Sequence, residues 1–160
     1  MSFKAALTAG LLLFVAASVA ATVARHVTAA RHERSGDVAP DQTDALVVYY
    51  FRANVRCAAC RTLEACSREV VTNRFAEEAA EGRIQWLGID YQSPGKEHFV
   101  SDYQLLTGGV VLVQFRNGCP QRFAALTEAW NMTGNRALLA KHLEDRIRTF
   151  QAAPQPEQRP

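Results

Sequence analysis

The run ALVVYYF, Ala45 to Phe51, and the segment VRCAACRTLEAC, Val55 to Cys66, decide the fold of this 160-residue chain. Seven consecutive apolar residues rich in valine and aromatic side chains predict a strand that is covered on both faces, as in a parallel α/β sheet. Two cysteines separated by two residues, Cys57 and Cys60, follow this strand. The sequence therefore predicts a CxxC pair at the point where the first strand meets the first helix.

The apolar pattern after the cysteines predicts helices alternating with strands. Leu63, Cys66 and Val70 fall on one helical stripe, and Asn117-Gly118 is a strong hairpin signal. The predicted elements are a helix from Arg61 to about Ala80, a strand Arg83 to Asp90, a short helix Glu97 to Tyr103, a strand Val110 to Phe115, a strand near Gln121 to Ala125 and a helix Asn135 to Phe150. The order β-α-β-α-β-β-α predicts an α/β fold with a central mixed sheet of about four strands flanked by helices.

The N-terminal segment Ala5 to Ala24, AALTAGLLLFVAASVAATVA, carries no charge over twenty residues. As a helix it would span about 30 Å, the thickness of the hydrocarbon core of a bilayer. We expect residues 1–25 to be a transmembrane signal anchor, or a signal peptide if cleavage occurs after Ser18-Val19-Ala20. The expected location is the cell membrane, with the domain in the periplasm or outside the cell, and secretion if the segment is cleaved.

The composition of the rest of the chain predicts a linker, a folded domain and a tail. Residues 26–44 are polar and predict a linker, residues 45–150 form the predicted domain, and residues 151–160, with three prolines, predict a disordered tail. The formal net charge is only +2, and no basic run carries interleaved aromatic residues. We therefore expect no nucleic-acid partner.

The CxxC pair predicts thiol chemistry. A thiolate attacks a disulfide, and the unpaired N–H groups at a helix start favour negative charge. We expect Cys57 to attack and Cys60 to resolve, with Arg56 and Arg61 stabilising the thiolate. Two alternatives stay open, a metal half-site and a pair of inert buried thiols.

The other cysteines, the histidines and the arginines near the pair support less specific predictions. Zinc or copper would need further ligands, and Cys66, His98, Cys119 and His142 form no second paired motif, so no metal residues are predicted. Cys66 falls on the apolar stripe of the helix and is expected in the core. Arg52, together with the two arginines that flank the pair, predicts either a solvated patch or a surface for an acidic partner.

The element order with its CxxC pair resembles the thioredoxin fold over about Ala45 to Phe150. Cys57-Ala58-Ala59-Cys60 stands where that family keeps its redox pair. Phe115-Arg116-Asn117-Gly118 and Asp90 are similar to other positions of the family. The resemblance implies dithiol–disulfide exchange with protein thiols or disulfides and no cofactor.

The sequence departs from that family at three positions. Arg56 replaces the usual tryptophan, and Phe51 occupies the position of the buried acid on the first strand. Where the family has a cis-proline facing the redox pair, this chain has Gly108-Gly109-Val110, which we predict to be the substrate-facing loop. The glycines would permit a close approach of two backbone segments.

A closer likeness is to a group of bacterial thioredoxin-like proteins, membrane-anchored or secreted. They carry YYF, then RCxxC with a glutamate shortly after, and a glycine-containing loop in place of the proline. Some similar chains carry a nitrophorin-domain label, which implies haem in a β-barrel, whereas the pattern here is βαβ. The sequence thus predicts a thiol–disulfide oxidoreductase outside the cytoplasmic membrane. The alternative is a non-enzymatic module of the same fold that binds copper, zinc or a protein partner.

Overall fold

The structure is a computed structural model that describes residues 43–54 and 56–154. The predictions for the N-terminal anchor, for the linker up to residue 42 and for residues 155–160 lie outside these residues. Within the described part, no helix is both long and apolar enough to cross a membrane.

Strands and helices follow the predicted order, with some different bounds. The strands are β1 (Leu46–Arg52), β2 (Ile84–Asp90), β3 (Gly109–Arg116) and β4 (Cys119–Ala125). The helices are α1 (Ala58–Arg74), α2 (Ala76–Ala80), α3 (His98–Asp102) and α4 (Arg136–Ala152), with a 3-10 helix (Thr127–Met132) before α4. The 3-10 helix was not predicted, and α4 ends two residues after the predicted Phe150.

The four strands form one mixed sheet in the order β2-β1-β3-β4. β1 pairs in parallel with β2 and antiparallel with β3, and β3 pairs antiparallel with β4. Together with the CxxC pair after β1, this topology confirms the predicted thioredoxin-like fold. In the register of the sheet Phe51 pairs with Gly109, which brings the end of β1 and the start of β3 to the same end of the sheet.

β1 is buried on both faces, as its apolar run predicts. On one face Val48 and Tyr50 belong to a core cluster with Leu63 of α1 and Leu143 of α4. On the other face Tyr49 and Phe51 contact Phe99 of α3, with the rings of Phe51 and Phe99 centred 5.2 Å apart. Side chains packed on both faces therefore hold β1 in place. They also fix the position of its last residue, Arg52, from which the chain leads to the cysteine pair.

The first helix begins earlier and ends earlier than predicted. It begins at Ala58 because Cys57 is its N-cap, and it is interrupted at Phe75, which has φ −124° and ψ 34°. Phe75 is fully buried, so the chain leaves the helical path where this ring enters the core. The predicted single helix to Ala80 is thus two helices.

The hairpin and the last helix have the predicted signals. Asn117 and Gly118 both have positive φ, 49° and 71°, as a type I′ turn requires, and β4 therefore begins directly after them at Cys119. The Asn135 side chain accepts a hydrogen bond from the backbone N–H of Leu138 and caps α4. Leu138 itself is 51% exposed, because the buried stripe of α4 consists of Leu139, Leu143 and Ile147.

Candidate active site

Cys57 and Cys60 form a disulfide at the N-terminus of α1. Their Cα atoms are 5.0 Å apart, within the usual range for a disulfide. The Sγ atom of Cys57 accepts a hydrogen bond of 3.0 Å from the backbone N–H of Cys60, and the Cys57 N–H donates to the Sγ atom of Cys60 at 3.2 Å. Cys57 is exposed and Cys60 is half-buried, so an external thiol can reach Cys57 more easily.

The helix start is suited to a thiolate at Cys57. The N-terminal N–H groups of a helix and its dipole favour negative charge, and the N–H of Cys60 already points at the Cys57 sulfur. A hydrogen bond to the charged form of a group lowers its pKa. The local backbone would therefore stabilise a Cys57 thiolate after reduction of the disulfide.

Arg56 and Arg61 lie beside the pair, and their surroundings differ. The guanidinium of Arg56 forms an ion pair with Glu64, with Nη2 2.5 Å from Oε2. Arg61 donates a hydrogen bond of 3.1 Å from Nη1 to the backbone carbonyl of Arg56. Stabilisation of the thiolate by the two arginines stays a prediction, and for Arg56 it competes with the carboxylate of Glu64.

Glu64 is a component of the site that the sequence analysis missed. It is only 9% exposed, and besides Arg56 it faces Arg68, whose Nη2 lies 3.8 Å from Oε1. The only sequence signals were its position four residues after Cys60, on the same side of the helix, and the glutamate shared with the bacterial group. Position alone could not reveal the arginine partners that make a buried carboxylate tolerable.

Tyr50 connects the core to the helix start. Its hydroxyl donates a hydrogen bond of 2.9 Å to the backbone carbonyl of Cys60. The pKa of Tyr50 is raised to about 12, mainly by burial and also by the carboxylate of Glu64, whereas Arg56 and Arg52 oppose the rise. The Tyr50 hydroxyl therefore stays protonated and keeps donating to the turn that carries Cys60.

The glycines of the predicted substrate-facing loop lie at the end of the sheet where β1 ends and β3 begins. A Cβ atom on Gly108 would stand 2.6 Å from the backbone oxygen of Phe51, so this close approach requires glycine. Gly109 has φ 156°, and a Cβ there would stand 3.2 Å from Nε1 of Trp130. Val110 is different, because its side chain is buried in the core; the two glycines and Thr107 carry the loop at the surface.

A pocket of about 390 Å³ opens beside the disulfide. Its wall is mostly apolar, and it includes Arg52, Arg56, Cys57, Cys60, Thr107, Gly108 and Trp130. The indole of Trp130, from the unpredicted 3-10 helix, donates a hydrogen bond of 3.1 Å to the carbonyl of Gly108. Trp130 is the second residue of the site that the sequence analysis missed, since nothing local connects it with a loop twenty-two residues earlier.

The other candidate ligands lie apart from the pair. Cys66 and Cys119 are free thiols, the first buried and the second exposed. His98 contacts the backbone oxygen of Gly95, and Nε2 of His142 lies 3.6 Å from Oε1 of Glu128. In residues 43–54 and 56–154, no three His, Cys, Asp or Glu side chains are grouped so that they could hold a metal ion.

No family model and no curated protein matches the sequence. Among solved structures the chain is similar to the crystal structure of thioredoxin f2 from Chlamydomonas reinhardtii, with 15% sequence identity and a TM-score of 0.34. The match covers 66% of this chain and 85% of that one. At this TM-score the similarity adds nothing to the fold assignment, which rests on the strand order, the strand directions and the cysteine pair.

Proposed function

We propose that the chain is a thiol–disulfide oxidoreductase that exchanges electrons with cysteines of other proteins through Cys57 and Cys60. The observation that carries the proposal is the disulfide at the N-terminus of α1, with Cys57 exposed at a pocket and Cys60 behind it. A thioredoxin-like fold with a CxxC disulfide supports thiol–disulfide exchange in general. Protein substrates are the finer part of the proposal, and the open pocket beside Cys57 supports them.

The exchange that begins with the oxidised pair has two steps. A thiolate of the partner attacks the Sγ atom of Cys57, the Cys57–Cys60 bond breaks, and Cys60 leaves as a thiolate. A second cysteine thiolate of the partner then attacks the partner sulfur that is bonded to Cys57, and Cys57 leaves as a thiolate. The partner loses two electrons and two protons to become a disulfide, and the pair becomes a dithiol; the reverse sequence reduces a partner disulfide.

A defined peptide tests this function. The full-length Cys60→Ala/Cys119→Ser variant is mixed with a synthetic peptide that contains a disulfide, and the products are analysed by mass spectrometry without reductant. We expect a covalent adduct at Cys57 that dithiothreitol reverses, because the resolving thiol is missing. Cys57→Ala/Cys119→Ser is the control. An absence of adduct above this control would argue for a non-enzymatic module.

We further propose that the domain works outside the cytoplasmic membrane. The uncharged segment Ala5 to Ala24 supports this location, and disulfides persist in oxidising compartments. Cys119 is exposed, so a maleimide that cannot cross membranes should label it in intact spheroplasts that express the chain. Labelling that occurs only after lysis would place the domain in the cytoplasm instead.

A further inference from the structure

The surface around Cys57 combines two features besides the cysteine pair itself. One is a concentration of positive charge, from Arg52, Arg56 and Arg61. The other is apolar surface, which the pocket and Leu106 provide.

Among the residues that the structure describes, two of the three arginines have no acidic partner. In the described part of the chain, neither Arg52 nor Arg61 has a carboxylate within the 4.0 Å of an ion pair. Asp90, which pairs with Arg52 in the register of β1 and β2, accepts a hydrogen bond from the backbone N–H of Gln92 instead. Arg56 is paired with Glu64, but its side chain is still 52% exposed.

These arginines lie around the reacting sulfur. Arg52 and Arg56 line the pocket together with Cys57, and the Arg61 guanidinium is bound to the carbonyl just before Cys57. Charges of one sign around a cleft attract ligands of opposite sign and raise the rate of association. The chain as a whole has a net charge of only +2, so this positive charge is local to the site.

Leu106 is an exposed apolar residue directly before the segment that lines the pocket. It is 98% exposed and immediately precedes Thr107 and Gly108, which line the pocket. A leucine that is so fully exposed makes no contribution to the core. Because Leu106 directly precedes the lining of a mostly apolar pocket, a partner could cover the two together as one apolar surface, and a partner that reaches from the pocket to Leu106 must be longer than a small thiol.

We infer that the site takes an extended segment of a partner protein with a bulky apolar side chain next to its reacting cysteine and acidic residues on either side. The apolar side chain enters the pocket beside Trp130, and the acidic residues face Arg52 and Arg61. This inference rests on the proposed function and adds the class of substrate. It does not depend on the direction of electron transfer.

The test measures how fast Cys57 attacks different peptides. The full-length Cys60→Ala/Cys119→Ser variant is mixed with short peptides whose single cysteine is activated as a pyridyl disulfide. The Cys57 thiolate attacks the peptide sulfur, the peptide becomes bonded to Cys57, and the leaving sulfur takes up a proton as pyridine-2-thione, which is followed by its absorbance. The probes are an acidic peptide with leucine beside the cysteine, the same peptide with serine for leucine, and a lysine-flanked peptide with leucine.

Each rate is divided by the rate with 2,2′-dithiodipyridine, a small uncharged disulfide, so that differences in thiolate reactivity cancel. We expect the acidic leucine peptide to react about tenfold faster than the lysine peptide, since charge at a binding surface mainly changes association. This preference should disappear at about 1 M salt, where the Debye length falls to about 3 Å. The serine peptide should react about threefold more slowly than its leucine counterpart.

Variants of the surface complete the test. Arg52→Gln should lower the normalised rate of the acidic peptides, and Leu106→Ser should remove the advantage of leucine over serine. The matched controls are Arg116→Gln, at an exposed arginine at the opposite end of β3, and Leu138→Ser on α4. Neither control should change the normalised rate of the acidic peptides or the advantage of leucine over serine. Equal normalised rates for the three peptides, or a faster lysine peptide, would overturn the substrate class and leave the proposed function intact. If dithiodipyridine also fails to react with Cys57, the proposed function fails, and the inference fails with it.

Discussion

The carboxylate of Glu64 lies 2.5 Å from the guanidinium of Arg56, the residue that immediately precedes Cys57. The ion pair gives Glu64 an electrostatic influence on the redox pair. Its carboxylate compensates the positive charge of Arg56, which would otherwise act uncompensated on a Cys57 thiolate. A buried carboxylate is stable here because Arg56 and Arg68 both face it.

Glu64→Gln should make the disulfide a stronger oxidant. Without the carboxylate, the Arg56 charge is uncompensated and favours the Cys57 thiolate, which should lower the pKa of the Cys57 thiol. Because a stabilised thiolate stabilises the reduced form, the reduction potential should rise by about 15 to 30 mV. Thiolate absorbance against pH and a glutathione titration measure the two effects.

Glu69→Gln is the matched control for that variant. Glu69 lies on the same helix, is half exposed and pairs with Arg136 at 2.5 Å, but it is about 18 Å along the helix from Cys57. It should change neither quantity. A Glu64→Gln protein with unchanged thiolate pKa and potential would show that Arg56 has no electrostatic effect on the pair.

Gly108→Ala should destabilise the fold at the site. The new methyl group would stand 2.6 Å from the Phe51 carbonyl oxygen, and because that atom belongs to the backbone of a buried strand, the loop must move. We expect a loss of about 1 to 3 kcal/mol in the free energy of unfolding, measured by urea denaturation. Gly134→Ala, which has nothing within 4 Å of its new methyl group, should be nearly neutral; similar losses in both variants would refute the close approach.

The contribution of Tyr50 to the free energy of unfolding should decrease at alkaline pH. Its pKa is raised from 10.0 to about 12 in the folded protein, so the native state holds the proton longer than the unfolded state. The resulting stability is fully present below pH 10 and is lost as the pH rises through about 12.

Comparison of the protein with Tyr50→Phe measures this effect. At neutral pH the variant should be less stable by about 1 kcal/mol, because it lacks the hydrogen bond to the Cys60 carbonyl. This difference should shrink between pH 10 and 12 in denaturant titrations. A difference that stays constant over that interval would mean that Tyr50 ionises as easily in the folded protein as in the unfolded chain.

The two free cysteines should react very differently. Burial raises the pKa of the Cys66 thiol, and its side chain is only 1% exposed, whereas Cys119 is exposed at the start of β4. With the disulfide intact, iodoacetamide should modify Cys119 and reach Cys66 about two orders of magnitude more slowly, because alkylation needs an accessible thiolate. Mass spectrometry of the peptides locates the label. Comparable rates at the two cysteines in the native protein would contradict the burial of Cys66 under α4.

The parts of the fold that depend on local patterns could be predicted from the sequence. The apolar run of β1 predicts its two-sided burial, and Asn117-Gly118 predicts the hairpin, since only a few residue types accept positive φ at both turn positions. The CxxC pair at the strand–helix junction predicts the site itself. The thioredoxin-like topology is what the resemblance of this element order to that family implied.

The parts that depend on tertiary contacts could not be predicted. The break at Phe75 results from burial of its ring, which competes with the helix propensity of the flanking residues. Glu64 and Trp130 join the site only because the fold brings them to Arg56 and to Gly108. A glutamate on a helix and a tryptophan after a hairpin have no distinguishing local pattern.

The reduction potential of the Cys57–Cys60 pair tests the central claim most directly. The full-length Cys119→Ser variant is equilibrated with glutathione mixtures, and the dithiol fraction is counted by mass spectrometry after alkylation. We predict a two-electron couple with a midpoint between about −120 and −270 mV, the range of known oxidoreductases. A pair that stays oxidised well below that range, or that titrates no couple at all, would contradict a redox function for this site.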